Sequence, residues 1–190
     1  MFSLRILCVL PLLAAATLTG PSIAQEADAA RQYFTDVELT TQDGKPVRLY
    51  SDLLKGRVVV INSFFGTCTG SCPKMAGVLA GLQNSYADRL GKDVLFLSFS
   101  VDPEMDTPAK LKQYAEQFHA KAGWLFLTGP KQKVDLALGK LGQKVERKED
   151  HLTLFIVGNE KTGLWKKVFA PSSTSESLKT VVDSVLNDKG

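Results

Sequence analysis

Residues 58–75 read VVVINSFFGTCTGSCPKM, an apolar β-branched run that breaks at Gly66 and passes two cysteines before Pro73. Val58 to Phe65 has the composition of a strand buried on both faces. Beyond the cysteines, Met75, Val78, Leu79, Leu82 and Tyr86 recur at the spacing of one helix face. Gly66 to Pro73 is therefore a strand-to-helix junction, and Pro73 suits a first helical turn, where its missing N–H costs nothing. Unpaired N–H groups and a partial positive charge at such a helix start favour thiolate. A thiol pKa of about 8.5 falls to about 3.5–7.5 in settings of this kind.

Working outward, Val37, Leu39, Val47 and Leu49 alternate with polar residues around Asp43-Gly44, the pattern of a β-hairpin. Asp52 to Gly56 reads as a short turn. Val94 to Val101 is a second buried strand, and Thr107-Pro108 caps a helix that buries Leu111, Tyr114, Ala115 and Phe118. Trp124 to Leu127 is a short strand, followed by a helix on Val134, Ala137, Leu138 and Leu141. Leu152 to Val157 and Trp165 to Phe169 form an antiparallel hairpin, and Leu178, Val181, Val182 and Val185 mark the last helix. Strand–helix alternation gives an α/β chain with a central mixed sheet flanked by helices and an N-terminal β-hairpin extension. With a cysteine pair at the first strand-to-helix junction, that is a thioredoxin-like fold.

Residues 1–24 read as a cleavable signal peptide. Arg5 precedes the apolar run Ile6–Leu18, Gly20-Pro21 breaks it, and Ser22-Ile23-Ala24 offers small residues for cleavage. The 13-residue run is short of the roughly 20 that a spanning helix needs. This predicts export to the periplasm and a soluble mature form, with a retained membrane anchor as the alternative. Cys8 leaves with the leader, so the mature chain keeps Cys68 and Cys72 alone, in a compartment where thiols oxidise. Residues 25–33 read as a polar, alanine-rich linker and 34–190 as one domain, with no internal repeat. The net charge of +3 is scattered, without the basic stripe that nucleic-acid binding uses.

Three residues separate the cysteines, one more than in the redox pairs of thioredoxin-like enzymes. On a helix this spacing sets the Cβ atoms about 5–6 Å apart. A relaxed disulfide wants about 3.5–4.5 Å, so the span suits a metal between two sulfurs better. Two thiolates favour Cu(I), and an added imidazole also accommodates Cu(II). A structural disulfide is the weakest reading, because so short a loop removes little unfolded-state entropy. A redox pair remains open, with Cys68 attacking and Cys72 resolving. Peroxide chemistry at Cys68 is a distant third.

The chain has two histidines. His119 ends a helix, where a positive side chain is explained by the helix C-terminus. His151 enters the strand from Leu152, at the point of a thioredoxin plan that faces the cysteine pair. On its own this leaves metal ligand and surface residue equally open. Zinc is disfavoured, since structural sites want four protein ligands and three candidates exist. Phe64, Phe65, Trp124 and Trp165 read as packing residues. The acids of Asp102-Pro103-Glu104-Met105-Asp106-Thr107-Pro108 read mainly as turn and cap.

Taken together, these motifs resemble the Sco/SenC family from about Phe34 to Leu186. The elements are Cys68-Thr69-Gly70-Ser71-Cys72-Pro73 for its C-x-x-x-C-P, and Asp102 to Pro108 for its D-P-E-x-D-T-P. Tyr114 and Phe118 match Y-x-x-x-F, Leu127-Thr128-Gly129 matches L-T-G, and Asp150-His151 stands where the family has its histidine. The resemblance implies one copper, as Cu(I) or Cu(II), held by Cys68, Cys72 and His151, with Asp102 close outside the ligand set. It also implies work on the copper centre of a respiratory cytochrome oxidase, by delivering copper or by reducing the recipient's cysteines. The partners would be a copper-receiving oxidase subunit or another copper protein, and a thioredoxin-like reductant. Thr69-Gly70 departs from the Pro-Asp common in the family, and the cleavable leader departs from its frequent membrane anchor.

Overall fold

A computed structural model describes residues 23–190. The leader read over 1–24 thus lies, but for its last two residues, outside the described residues. Among the described residues no helix is long and apolar enough to cross a membrane.

Residues 25–33, read from the sequence as a linker, belong to a helix, α1 (Ile23–Phe34). Four of its residues are alanine, the strongest helix former, and Ala30 and Phe34 pack against the core. The hairpin around Asp43-Gly44 is β1 (Glu38–Thr41) and β2 (Pro46–Arg48), paired antiparallel. Where a simple turn was expected near Asp52, a single π-helical turn spans Leu49–Leu54 and buries Leu49, Tyr50, Leu53 and Leu54. Four apolar side chains in six residues have to be buried, and the wide turn does this.

The central strands are β3 (Val58–Phe64) and β4 (Val94–Ser100), buried along their whole length and paired in parallel with Ile61 opposite Leu97. Between them runs α2 (Ser71–Leu82). Next come α3 (Pro108–Gln117), β5 (Trp124–Thr128) and α4 (Lys131–Lys140). The hairpin β6 (Leu154–Asn159) and β7 (Leu164–Phe169) and the helix α5 (Ser175–Leu186) complete the domain. The seven strands are ordered β2-β1-β5-β4-β3-β6-β7, with β3, β4 and β5 parallel and the outer pairs antiparallel. This is the thioredoxin-like arrangement expected from the order of elements.

Successive strand residues point to opposite faces, so β3 serves two cores. Val58, Val60 and Phe64 join Cys72, Met75, Leu79, Leu111, Tyr114, Leu178 and Val182 on the side of α2, α3 and α5. Val59 and Ile61 join Leu39, Tyr50, Leu53, Val134 and Leu138 on the side of α4 and the π-turn. Helix caps are local. Thr107 Oγ1 accepts from the Lys110 N–H at the start of α3, and Thr174 and Ser177 form a reciprocal capping box at the start of α5.

His119 closes α3 in a left-handed conformation, φ 50°, and is exposed. Its N–H donates to Glu116 and that of Ala120 to Ala115, while the His119 carbonyl accepts from Gln83. The pattern is a Schellman closure.

One glycine contact holds β5 against β4. Gly123 has φ +97°, and its carbonyl accepts from Phe96 N–H at 2.9 Å. A Cβ built on Gly123 would stand 2.1 Å from the Gly91 nitrogen and 2.7 Å from the Leu90 carbonyl carbon. Only hydrogen fits there.

Candidate metal centre

β3 ends at Phe64, and Gly66 then begins the loop that carries Cys68 to the start of α2. The loop is pinned from below by Asp106, which is 2% exposed. Its carboxylate accepts from Gly66 N–H at 3.0 and 3.2 Å and from Ser100 Oγ at 2.6 Å. Gly66 has to be small, since a Cβ there would meet Asp106 Oδ1 at 2.6 Å. The Cys68 N–H donates to the Phe65 carbonyl at 3.1 Å, turning the chain toward the helix.

No side chain caps the N-terminus of α2. Cys68 lies two residues before Gly70, the N-cap of this open helix end. Burial opposes its ionisation, but donors from the Cys72 thiol, the backbone N–H groups of Cys72 and Gly70, and Ser71 outweigh burial and lower its pKa. Cys72 is 1% exposed and sits among Met75, Ala76 and Leu79. Burial, then its hydrogen bond to Cys68, pushes its thiol up to about 12. Neither cysteine is in a disulfide.

His151 follows a short 3₁₀ turn, Lys148–Asp150, and is 9% exposed. Its Nδ1 lies 3.0 Å from the Lys148 carbonyl oxygen. A carbonyl can only accept, so Nδ1 carries the proton and Nε2 presents its lone pair to the sulfurs. Nε2 lies 3.3 Å from Cys72 Sγ. Burial, only partly offset by the Lys148 carbonyl, lowers the imidazole pKa and keeps the ring neutral near pH 7. Phe65 and the imidazole pack nearly perpendicular, 5.4 Å between ring centroids.

The donor atoms of Cys68, Cys72 and His151 all lie within 4.8 Å of one another, the one group of this kind among the described residues. That spread is close to what a single ion bridges with two metal–thiolate bonds of about 2.3 Å each. Two soft sulfurs, one neutral imidazole and no fourth side-chain ligand suit copper better than a structural zinc.

Asp102 is not in this group. Its carboxylate pairs with Lys148 Nζ at 2.7 Å, so it touches the loop that bears His151 and not the three donors. His119 is likewise outside. Sequence reasoning assigns no part to Lys148 and takes the segment that holds the buried Asp106 as turn and cap. It also missed Phe65 as a partner of the imidazole. The even spread of the KEDH charges offered no signal for Lys148. Two acids four residues apart beside a buried strand were a signal for Asp106 that went unused.

Two outcomes follow for this site. In the reduced protein Cys68 is expected to be alkylated by iodoacetamide below the pH of an ordinary thiol, and Cys72 only after unfolding. Cys72→Ala removes a donor to the Cys68 sulfur, so the pH midpoint of Cys68 alkylation should rise. An unmoved midpoint would show that Cys72 does not support the thiolate. For Asp106, burial raises the carboxyl pKa, against the hydrogen bonds from Ser100 and Gly66. Between its ordinary value and the raised one the folded state binds more protons than the unfolded state, so Asp106 makes stability fall as pH rises through that window. Urea unfolding of Asp106→Asn should show that decline removed. The same pH slope in both proteins would exclude Asp106 as its source.

Fold and cluster define a class, a thioredoxin-fold protein with a C-x-x-x-C pair and a histidine converging on one point. The SCO1/SenC family model matches residues 25–187, and the chain belongs to that family. Over 93 residues it is 42% identical to the SCO1 protein homolog of Bacillus subtilis, covering 48% of this chain and 46% of the relative. The chain thus spans about half the length of the curated relatives it matches. Among solved structures, a SCO1/SenC family lipoprotein from Bacillus anthracis aligns with a TM-score of 0.66 and 30% identity, over 79% of this chain and 92% of that one. The copper-bound structure of ScoI from Bradyrhizobium japonicum aligns with a TM-score of 0.60 and 26% identity, over 78% and 96% of the two chains.

Proposed function

We propose that this chain is an exported copper protein that takes one copper at Cys68, Cys72 and His151 and serves the assembly of the copper site of a respiratory cytochrome oxidase. The observation that carries this reading is the convergence of two sulfurs and one imidazole nitrogen within 4.8 Å. Family membership and the copper held by the Bradyrhizobium relative support it. The leader read over 1–24 supports export to the periplasm.

Each residue has a separable task. Cys72 and His151 are buried, so they form the half of the site shielded from solvent. Cys68 is partly exposed and favours thiolate, so it is the donor that first meets incoming copper and the one a recipient's thiolate can reach. His151 needs no proton removed to bind, because its Nε2 lone pair already faces the sulfurs.

The asymmetry of the two thiols favours a second use of the same pair. The Cys68 thiolate attacks a recipient disulfide, forming a mixed disulfide and releasing one recipient thiolate. Cys72 then loses its proton and attacks Cys68 Sγ, which frees the second recipient thiolate. The recipient gains two electrons and this chain ends with the Cys68–Cys72 disulfide. A thioredoxin-like dithiol would restore it.

Anaerobic copper titration of the reduced protein tests the proposal. One equivalent bound, with thiolate-to-copper absorption bands, is the expected result. Absence of bands together with rapid reduction of insulin disulfides would leave only the second use.

A further inference from the structure

Lys148 does two things at once. Its carbonyl accepts from His151 Nδ1 at 3.0 Å and from the His151 backbone N–H at 3.2 Å. Its ammonium reaches 46 residues back in sequence to Asp102, at 2.7 Å, and lies 5.4 Å from the centre of the Phe65 ring. The side chains are 34% and 14% exposed, so the pair is partly shielded from water.

Beyond the buried His151 ring and the Ala170 N–H bonded to the Thr153 carbonyl, little else moors this stretch. The turn Lys148–Asp150 buries no residue. Among the described residues, the ion pairs Lys144–Glu146 and Arg147–Asp150 stay inside the segment, and Lys148–Asp102 alone leaves it. The anchor point is itself built in. Asp102 N–H donates to Ser100 Oγ at 3.0 Å, Ser100 Oγ donates to Asp106 at 2.6 Å, and Asp106 accepts from the N–H of Gly66 in the Cys68 loop. One segment, Ser100 to Asp106, therefore holds both arms of the site.

We propose that Lys148 is a positioning residue that latches the histidine arm onto Asp102, setting how long His151 stays on the metal. The inference rests on the copper reading above for its consequence, though the latch itself is a property of the metal-free protein. With the latch closed, Nε2 is held toward the sulfurs. With it open, the arm swings away and leaves copper on the two thiolates alone, ready for a recipient. An outer partner of a metal ligand typically changes metal affinity by about 10–100-fold when lost.

Lys148→Met keeps the carbonyl and an unbranched side chain of nearly the same length, and removes the ammonium with its charge and its donors. In the metal-free reduced protein it should speed amide hydrogen exchange across residues 147–153 and leave α2 unchanged. With Cu(I) bound, release to a competing chelator should quicken about tenfold. Asp102→Asn should match it, the double variant should be no worse than either, and Lys148→Arg should restore the parent behaviour. In a His151→Ala background, Lys148→Met should change copper release no further.

Unchanged exchange over 147–153 in Lys148→Met would overturn the latch. So would an effect on release that persists without His151. If instead His151→Ala releases copper as slowly as the parent, the copper reading falls, and the exchange experiment still decides the latch.

Discussion

His151→Ala is expected to cost more copper affinity than the roughly 10–100-fold typical of losing an outer partner of a metal ligand, while disulfide exchange by Cys68 and Cys72 continues. The imidazole supplies one of three donors, and its neighbours offer no substitute. Phe65 has no lone pair, and the Lys148 ammonium is cationic. The thiol chemistry depends on other contacts. Cys68 draws its donors from Cys72, Gly70 and Ser71, and of these only Cys72 touches the histidine. Competition against a Cu(I) chelator and the rate of insulin reduction, measured on the same preparation, separate the two. Loss of both would point to a collapsed site, and loss of neither would remove His151 from the ligand set.

The largest effect on stability is expected at Gly123→Ala. The backbone there adopts φ +97°, which costs an L-residue about 1–3 kcal/mol. The added methyl also runs into the main chain of Gly91 and Leu90, which cannot rotate aside. Overpacking of this kind adds about 1–3 kcal/mol. A loss of about 3 kcal/mol or more in urea unfolding is the expected outcome. Gly91→Ala is the natural comparison, because φ is +86° but its Cβ would meet ordinary contacts at 3.5 Å. Equal losses at the two positions would mean that backbone conformation, and not the clash, sets the cost.

The sheet and its cysteine junction were legible because they rest on local chemistry. Buried strands such as Val58–Phe64 are apolar throughout, helix faces repeat, and Thr107-Pro108 announces a helix start. Residues 25–33 misled because alanine-rich polar sequence suits linker and helix alike, and Phe34 settles the matter only through its packing on Trp165, at 5.3 Å between ring centroids. The site was half legible. Cys68 and Cys72 lie close in sequence, so their spacing spoke directly, whereas His151 depends on a crossing from another strand. Lys148 and Asp102 meet only after folding, and nothing in either neighbourhood names the other.

The ends of the sheet carry a consequence for handling. One margin is the three-residue β2, opened by Pro46, which has no N–H to offer a newcomer. The other is β7, where Lys166 and Lys167 set an ammonium group on each face of the strand. Both margins repel a stranger's chain, so self-association of purified material should run through covalent Cys68 bridges. Such dimers would vanish with dithiothreitol and never form in Cys68→Ser.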